Sequence, residues 1–178
     1  MIAKTNLILI GFMGTGKTSV GKLCADYLQW QFVDTDLEIE KIAQTTITEL
    51  FKSHGEIAFR RVESQVLNDV LASSNQVVST GGGVILSERN RRILKSASKQ
   101  GSLVILLTAQ PNVLWDRVNK GKGRPLLQIQ NPKEQIIRLL SQREDFYQEV
   151  ADLVIDTSDL SLGDVVKRII ECREKKES

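Results

Sequence analysis

The sequence predicts an α/β fold in three layers, a parallel sheet with helices on both faces, and three observations predict it. Short apolar runs alternate along the chain with stretches of helical periodicity. The first run is apolar without a break, as in a strand buried on both faces. That run enters a glycine-rich loop and then, at once, a helix. At 178 residues the chain has the size of one domain.

Residues 6–10 form the first strand. Lys17–Leu28 follows as a helix, with Val20, Leu23, Cys24 and Leu28 on one apolar stripe. Gln31–Asp34 is the second strand, and residues 36–43 and 47–52 read as short helices. Gly55-Glu56 opens a longer helix in which Phe59, Val62, Val66, Val70 and Leu71 recur at helical spacing. The third strand, Gln76–Ser79, runs into Gly81-Gly82-Gly83. Residues 103–107 and 153–155 are the fourth and fifth strands, with a helix over 111–118 between them. Residues 119–129 read as irregular. Asn131 is the expected N-cap of the next helix, with Pro132 in its first position and Glu134 in its first turn. The tail from Arg173 to Ser178 carries mixed charge, as a frayed helix end does.

Composition narrows the function. With 24 Lys+Arg against 22 Asp+Glu, the net charge of +2 offers no basic field for nucleic acid. The two cysteines, Cys24 and Cys172, have no CxxC spacing, which argues for free thiols rather than a disulfide or zinc framework. No apolar run reaches the roughly 18 residues of a membrane span, and the first strand is too short for a signal segment. The expected compartment is the cytoplasm.

Gly11-Phe12-Met13-Gly14-Thr15-Gly16-Lys17-Thr18 matches G-x-x-x-x-G-K-[ST], placed between strand and helix as the motif requires. Its glycines let successive N–H groups turn inward onto phosphate oxygens, and the helix N-terminus adds its positive end. Gly14, Thr15, Gly16, Lys17, Thr18 and Ser19 are therefore read as binding ATP. Lys17 places a point charge on the β- and γ-phosphates, and the Thr18 hydroxyl is a ligand for Mg²⁺.

A phosphate loop specifies a nucleotide, and Asp34-Thr35-Asp36 after the second strand specifies phosphoryl transfer. No acid ends the third strand, so Asp34 is read as serving Mg²⁺ through water. Asp36 is read as accepting the proton of an attacking hydroxyl. The alternative for either is capping the helix that follows. Arg60 and Arg143 are of the type that grips a carboxylate, although Arg60 also has Glu63 within i,i+3 reach. Gly81, Gly82 and Gly83 form either a backbone approach site for a ligand or a tight turn. Gly121-Lys122-Gly123-Arg124-Pro125 joins hinge glycines to cations, as a lid over phosphates does. His54 is given no role, and Trp30 and Trp115 are read as packing residues.

Together these pieces resemble the shikimate kinase family, from Gly11 to about Asp156. The resemblance rests on the glycine loop, Phe32-Val33-Asp34-Thr35-Asp36, Gly55-Glu56 with Phe59-Arg60, the three glycines, Arg124-Pro125-Leu126-Leu127, and Arg143 with Tyr147. It implies a P-loop NTPase fold of the nucleoside-monophosphate-kinase type, with five parallel strands in the order 2-3-1-4-5. It implies a substrate-binding subdomain at about 35–63 and a lid at about 118–130. ATP-dependent phosphorylation of the shikimate 3-hydroxyl is the implied activity, with Mg²⁺ as cofactor. Asp36 would meet that hydroxyl, Arg60 and Arg143 the carboxylate, and Gly82 would donate its N–H to the substrate. Arg124 would span ATP and the transferring group, and Arg117 would pack on adenine. Expected partners are shikimate and ATP, without nucleic acid or membrane, and the chain is read as a monomer. Ser158-Asp159-Leu160-Ser161-Leu162 departs from the Arg and Pro that family members often place against adenine. A gluconate-type kinase, a nucleoside monophosphate kinase and a nucleotide-binding regulator without turnover are the competing readings.

Overall fold

The computed structural model describes residues 5–119 and 131–177. Five parallel strands, β1 (Leu7–Ile10), β2 (Gln31–Asp34), β3 (Gln76–Ser79), β4 (Leu103–Thr108) and β5 (Leu153–Asp156), lie in the order β2-β3-β1-β4-β5. This is the expected order. Side chains alternate across a strand, so residues 7 and 9 face one layer and residues 8 and 10 the other. Leu7 and Leu9 pack with Val20 and Cys24 of α1 (Lys17–Leu28) and with Val165 and Ile169 of α7 (Leu162–Glu177). Ile8 and Ile10 pack with Leu67 of α3 (Ile47–Val70), Leu94 of α4 (Glu88–Lys99), and Tyr147 and Val150 of α6 (Pro132–Val150). The two layers of helices are thereby specified by the alternation within a single strand.

A satellite cluster of Ile39, Leu50, Phe59 and Val66 joins α2 (Thr35–Ala43) to α3. Its Phe51 and Phe59 rings lie 4.4 Å apart. The two helices expected around Gly55 are one element kinked at that residue, with φ 76° and ψ 175°. Only glycine adopts that backbone readily.

Several expectations are refined. Helix α4 and the 3-10 turn Val84–Leu86 were not expected, and the tail from Arg173 belongs to the long helix α7. Asn131 does not cap α6 with its side chain. Its Nδ2 donates instead to Glu134 at 3.1 Å, because that acid, one turn on, attracts the amide's donor end. Both cysteines are free thiols, and burial pushes Cys24 up to about 12, which makes it unreactive. Trp30 and Trp115 pack against core clusters from the rim. His54 is exposed.

Candidate active site

Three chain segments leave the carboxyl ends of β1, β2 and β3 and meet in one cavity of about 820 Å³, the position at which open α/β sheets bind ligands. From β1 comes the phosphate loop. Gly14 and Gly16 have φ of 82° and 94°, left-handed values that let the loop curl. Thr15 Oγ1 donates to the Phe12 carbonyl at 2.8 Å. Lys17 is nearly buried, and its Nζ donates to the carbonyls of Gly11 at 2.8 Å and Phe12 at 2.9 Å. Thr18 and Ser19 begin α1 and line the same cavity.

From β2 come the carboxylates, and Asp34 takes the capping role that was its alternative. Its Oδ1 accepts from the Asp36 N–H at 3.1 Å and caps α2, while its Oδ2 accepts from Thr18 Oγ1 at 3.3 Å. Asp36 is left to face the cavity. Burial raises its pKa to about 6, and the nearby charges of Asp34 and Glu63 act in the same direction, with Lys17 opposing them. A carboxylate near that value is suited to proton acceptance at neutral pH.

From β3 comes the glycine turn, where the glycines act chiefly by leaving space. A Cβ on Gly81 would stand 2.6 Å from Asp36 Oδ1, and one on Gly83 would stand 2.9 Å from the Arg60 guanidinium. Each of these two glycines thus leaves room for a side chain that lines the cavity. Gly81→Ala should push the Asp36 carboxylate aside and lower kcat by about ten- to a hundredfold, as small misplacements do. Its KM for ATP should be unchanged, and a wild-type kcat would show that Asp36 tolerates the shift.

Two guanidiniums reach consecutive carbonyls of this turn. Arg60 Nη1 donates to Gly83 at 3.1 Å, and Arg143 Nη1 donates to Gly82 at 3.3 Å. Arg143 is nearly buried beside Phe12, and Tyr147 also donates to the Gly82 carbonyl. Arg60 pairs with Glu63 at 2.9 Å and with the exposed Glu56 at 3.2 Å, so the local pairing foreseen for it is present too. Glu63 is 3% exposed, and burial raises its pKa against the pull of Arg60 and Asn90. Sequence reasoning saw Glu63 only as a possible surface partner, because a pattern of charges does not reveal which one is buried.

At the far end of the cavity Arg117 of α5 (Pro111–Asn119) donates to the Thr157 hydroxyl at 2.9 Å and carbonyl at 2.7 Å. The Thr157 hydroxyl lies within donating reach of the Thr108 carbonyl at 3.0 Å and the Thr15 carbonyl at 3.3 Å, and Arg117 Nη1 itself reaches the Gly14 carbonyl of the phosphate loop at 3.4 Å. Leu160 and Leu162 line this end. Arg124 and most of the lid expected at 118–130 lie outside the described residues.

Fold and cavity together define a P-loop phosphotransferase. The family model for shikimate kinase matches residues 13–174. A shikimate kinase of Rhizobium meliloti is 43% identical over 95% of this chain and 85% of its own. One of Thermodesulfovibrio yellowstonii is 44% identical over 96% and 95%. The structure of shikimate kinase from Acinetobacter baumannii in complex with shikimate superposes with a TM-score of 0.87 at 36% identity, covering 95% of this chain and 92% of that one. The chain belongs to the shikimate kinase family.

Proposed function

We propose that this chain transfers the γ-phosphoryl group of ATP to the 3-hydroxyl of shikimate, giving 3-phosphoshikimate on the route to aromatic amino acids. The observation that carries the reading is the convergence of Arg60 and Arg143 on consecutive carbonyls, in a cavity shared with Asp36 and the phosphate loop. Two guanidiniums side by side suit a substrate that bears one carboxylate. Glu56 is 63% exposed, so it is the Arg60 partner that a substrate carboxylate can replace, while the buried Glu63 stays.

In this reading Arg60 and Arg143 hold the carboxylate and the Gly82 N–H steadies the substrate. Asp36 takes the proton from the 3-hydroxyl as that oxygen attacks the γ-phosphorus. Lys17 and the loop N–H groups of residues 14–19 hold the phosphates. Arg117 packs on adenine, with Leu160 and Leu162 forming an apolar wall in place of the family's Arg and Pro. Arg124, carried on a lid at about 118–130, completes the phosphate site. Residues 35–63 act as the substrate-binding subdomain.

Thr18 Oγ1 and Asp34 Oδ2, both hard oxygen donors and 3.3 Å apart, fit Mg²⁺, which takes few protein ligands and retains water. Thr18 would bind the ion directly and Asp34 through water. When bound, Mg²⁺ neutralises charge on the β- and γ-phosphates.

No helix among the described residues is long and apolar enough to cross a membrane. A cytoplasmic monomer acting on two small molecules, without nucleic acid, completes the proposal, and light scattering on the purified protein tests its oligomeric state.

An ADP-release assay with shikimate, quinate and gluconate tests the substrate. Turnover with shikimate alone is expected, and preference for gluconate would transfer the chain to another substrate class. Arg60→Ala and Arg143→Ala should each weaken shikimate binding by about 1.5–3 kcal/mol, roughly 10–150-fold. ATP affinity should hold. Loss of ATP binding in place of shikimate binding would move the carboxylate site elsewhere.

A further inference from the structure

Asn90, in the first turn of α4, is completely buried. Its Nδ2 donates to Glu63 Oε2 at 3.1 Å and to the Val84 carbonyl at 2.9 Å. A carboxylate and a carbonyl both accept here, which fixes the amide end that faces them. Glu63 grips Arg60 Nη1 with both oxygens at 2.9 Å. Val84 follows Gly83, whose carbonyl takes the same Nη1. One amide therefore ties the acid behind Arg60 to the glycine turn in front of it.

The other end of the amide is unsatisfied: Oδ1 has no hydrogen-bond partner among the described residues. Burying an orphan acceptor costs stability, and a leucine would fill similar space without one. Helix capping does not require the side chain either. Ser87 Oγ is the cap, and it accepts from the backbone N–H of residue 90, which any residue but proline supplies. The two side-chain donors are what Asn90 uniquely contributes.

We propose that Asn90 is a positioning residue for substrate recognition, holding Glu63 against the glycine turn so that Arg60 stands where the carboxylate arrives. The inference rests on the assignment of Arg60 made above. Without the amide donor, Glu63 loses one of the groups that keep its charge stable in a buried place. Arg60 is then free to follow Glu56, its exposed partner, away from the turn.

The test compares wild type with Asn90→Leu, Asn90→Asp and Arg60→Ala, each first checked for a cooperative melt. Both Asn90 variants should raise the KM for shikimate about tenfold, the low end for a hydrogen bond to a charged group. KM for ATP should stay within about twofold and kcat within about threefold. Shikimate carboxamide, which lacks the charge, should be handled by the variants as by wild type, confining the loss to the carboxylate. If Asn90→Leu fails to fold, the isosteric Asn90→Asp carries the test, and calorimetric titration with shikimate replaces KM where turnover is low. A folded variant with unchanged shikimate affinity, or with equal losses toward the carboxamide, would reduce Asn90 to a structural residue. If Arg60→Ala also left shikimate affinity unchanged, the fault would lie in the assignment of Arg60 itself.

Discussion

Replacing Asp36 by asparagine is expected to lower kcat by about 10²–10⁴, the range for loss of a general base, while shikimate binding changes little. The same substitution should stabilise the protein at neutral pH. Burial raises the Asp36 pKa from 3.8 to about 6, so ionising it in the native state costs up to about 3 kcal/mol. For an acid whose pKa is raised, that cost is absent below the unfolded value, grows through the window from about 4 to about 6, and is complete above it. The melting advantage of Asp36→Asn should therefore be largest above pH 6 and vanish near pH 4. In wild type, kcat/KM should fall tenfold per pH unit below about 6, a limb that the residual activity of the variant should lack. A variant within about threefold of the wild-type kcat would remove Asp36 from the mechanism.

Lys17→Ala is expected to lower kcat by about 10²–10³, the scale measured when one preorganised donor to developing charge is removed. The ammonium sits deep at the base of the loop, anchored on the Gly11 and Phe12 carbonyls. Removing it also strips a donor from two buried carbonyls, and some loss of stability should accompany the loss of rate. Shikimate binding measured without nucleotide should remain near wild type, because Lys17 lies outside the pair of guanidiniums on the glycine turn. Single-turnover kinetics with saturating ATP separates the two effects. A near-normal phosphoryl-transfer step would make Lys17 a structural anchor alone.

Much of the nucleotide half was legible in the chain, because its parts are consecutive. Strand, glycine loop, lysine and helix follow one another within residues 7–28, and each has a steric or electrostatic signature of its own. The placement of Asp34 and Asp36 beside that loop was legible for the same reason, and so was the break at Gly55. The support of the substrate half was not. Asn90 meets Glu63 across 27 residues, and Tyr147 meets Gly82 across 65, so no local pattern joins them. Helix α4 escaped because its sequence is dominated by charge, with Leu94 its one fully buried apolar residue. The role of Gly81 and Gly83 as space for Asp36 and Arg60 depends on side chains from other segments, which spacing alone does not bring together.

The placement of β1 at the centre of the sheet also sets how the site opens. Every residue of that strand is at most 1% exposed, and the phosphate loop continues directly from it. Its amides are expected to exchange with solvent only when the whole domain unfolds. The region of α2 and the start of α3 rests instead on the small satellite cluster around Ile39 and Phe59, beyond a glycine kink. Amides there are expected to exchange through partial openings that leave the sheet intact. The loop after β1 would thus take its rigidity from global stability, whereas the region of α2 would loosen and re-form many times within the life of a single folded molecule.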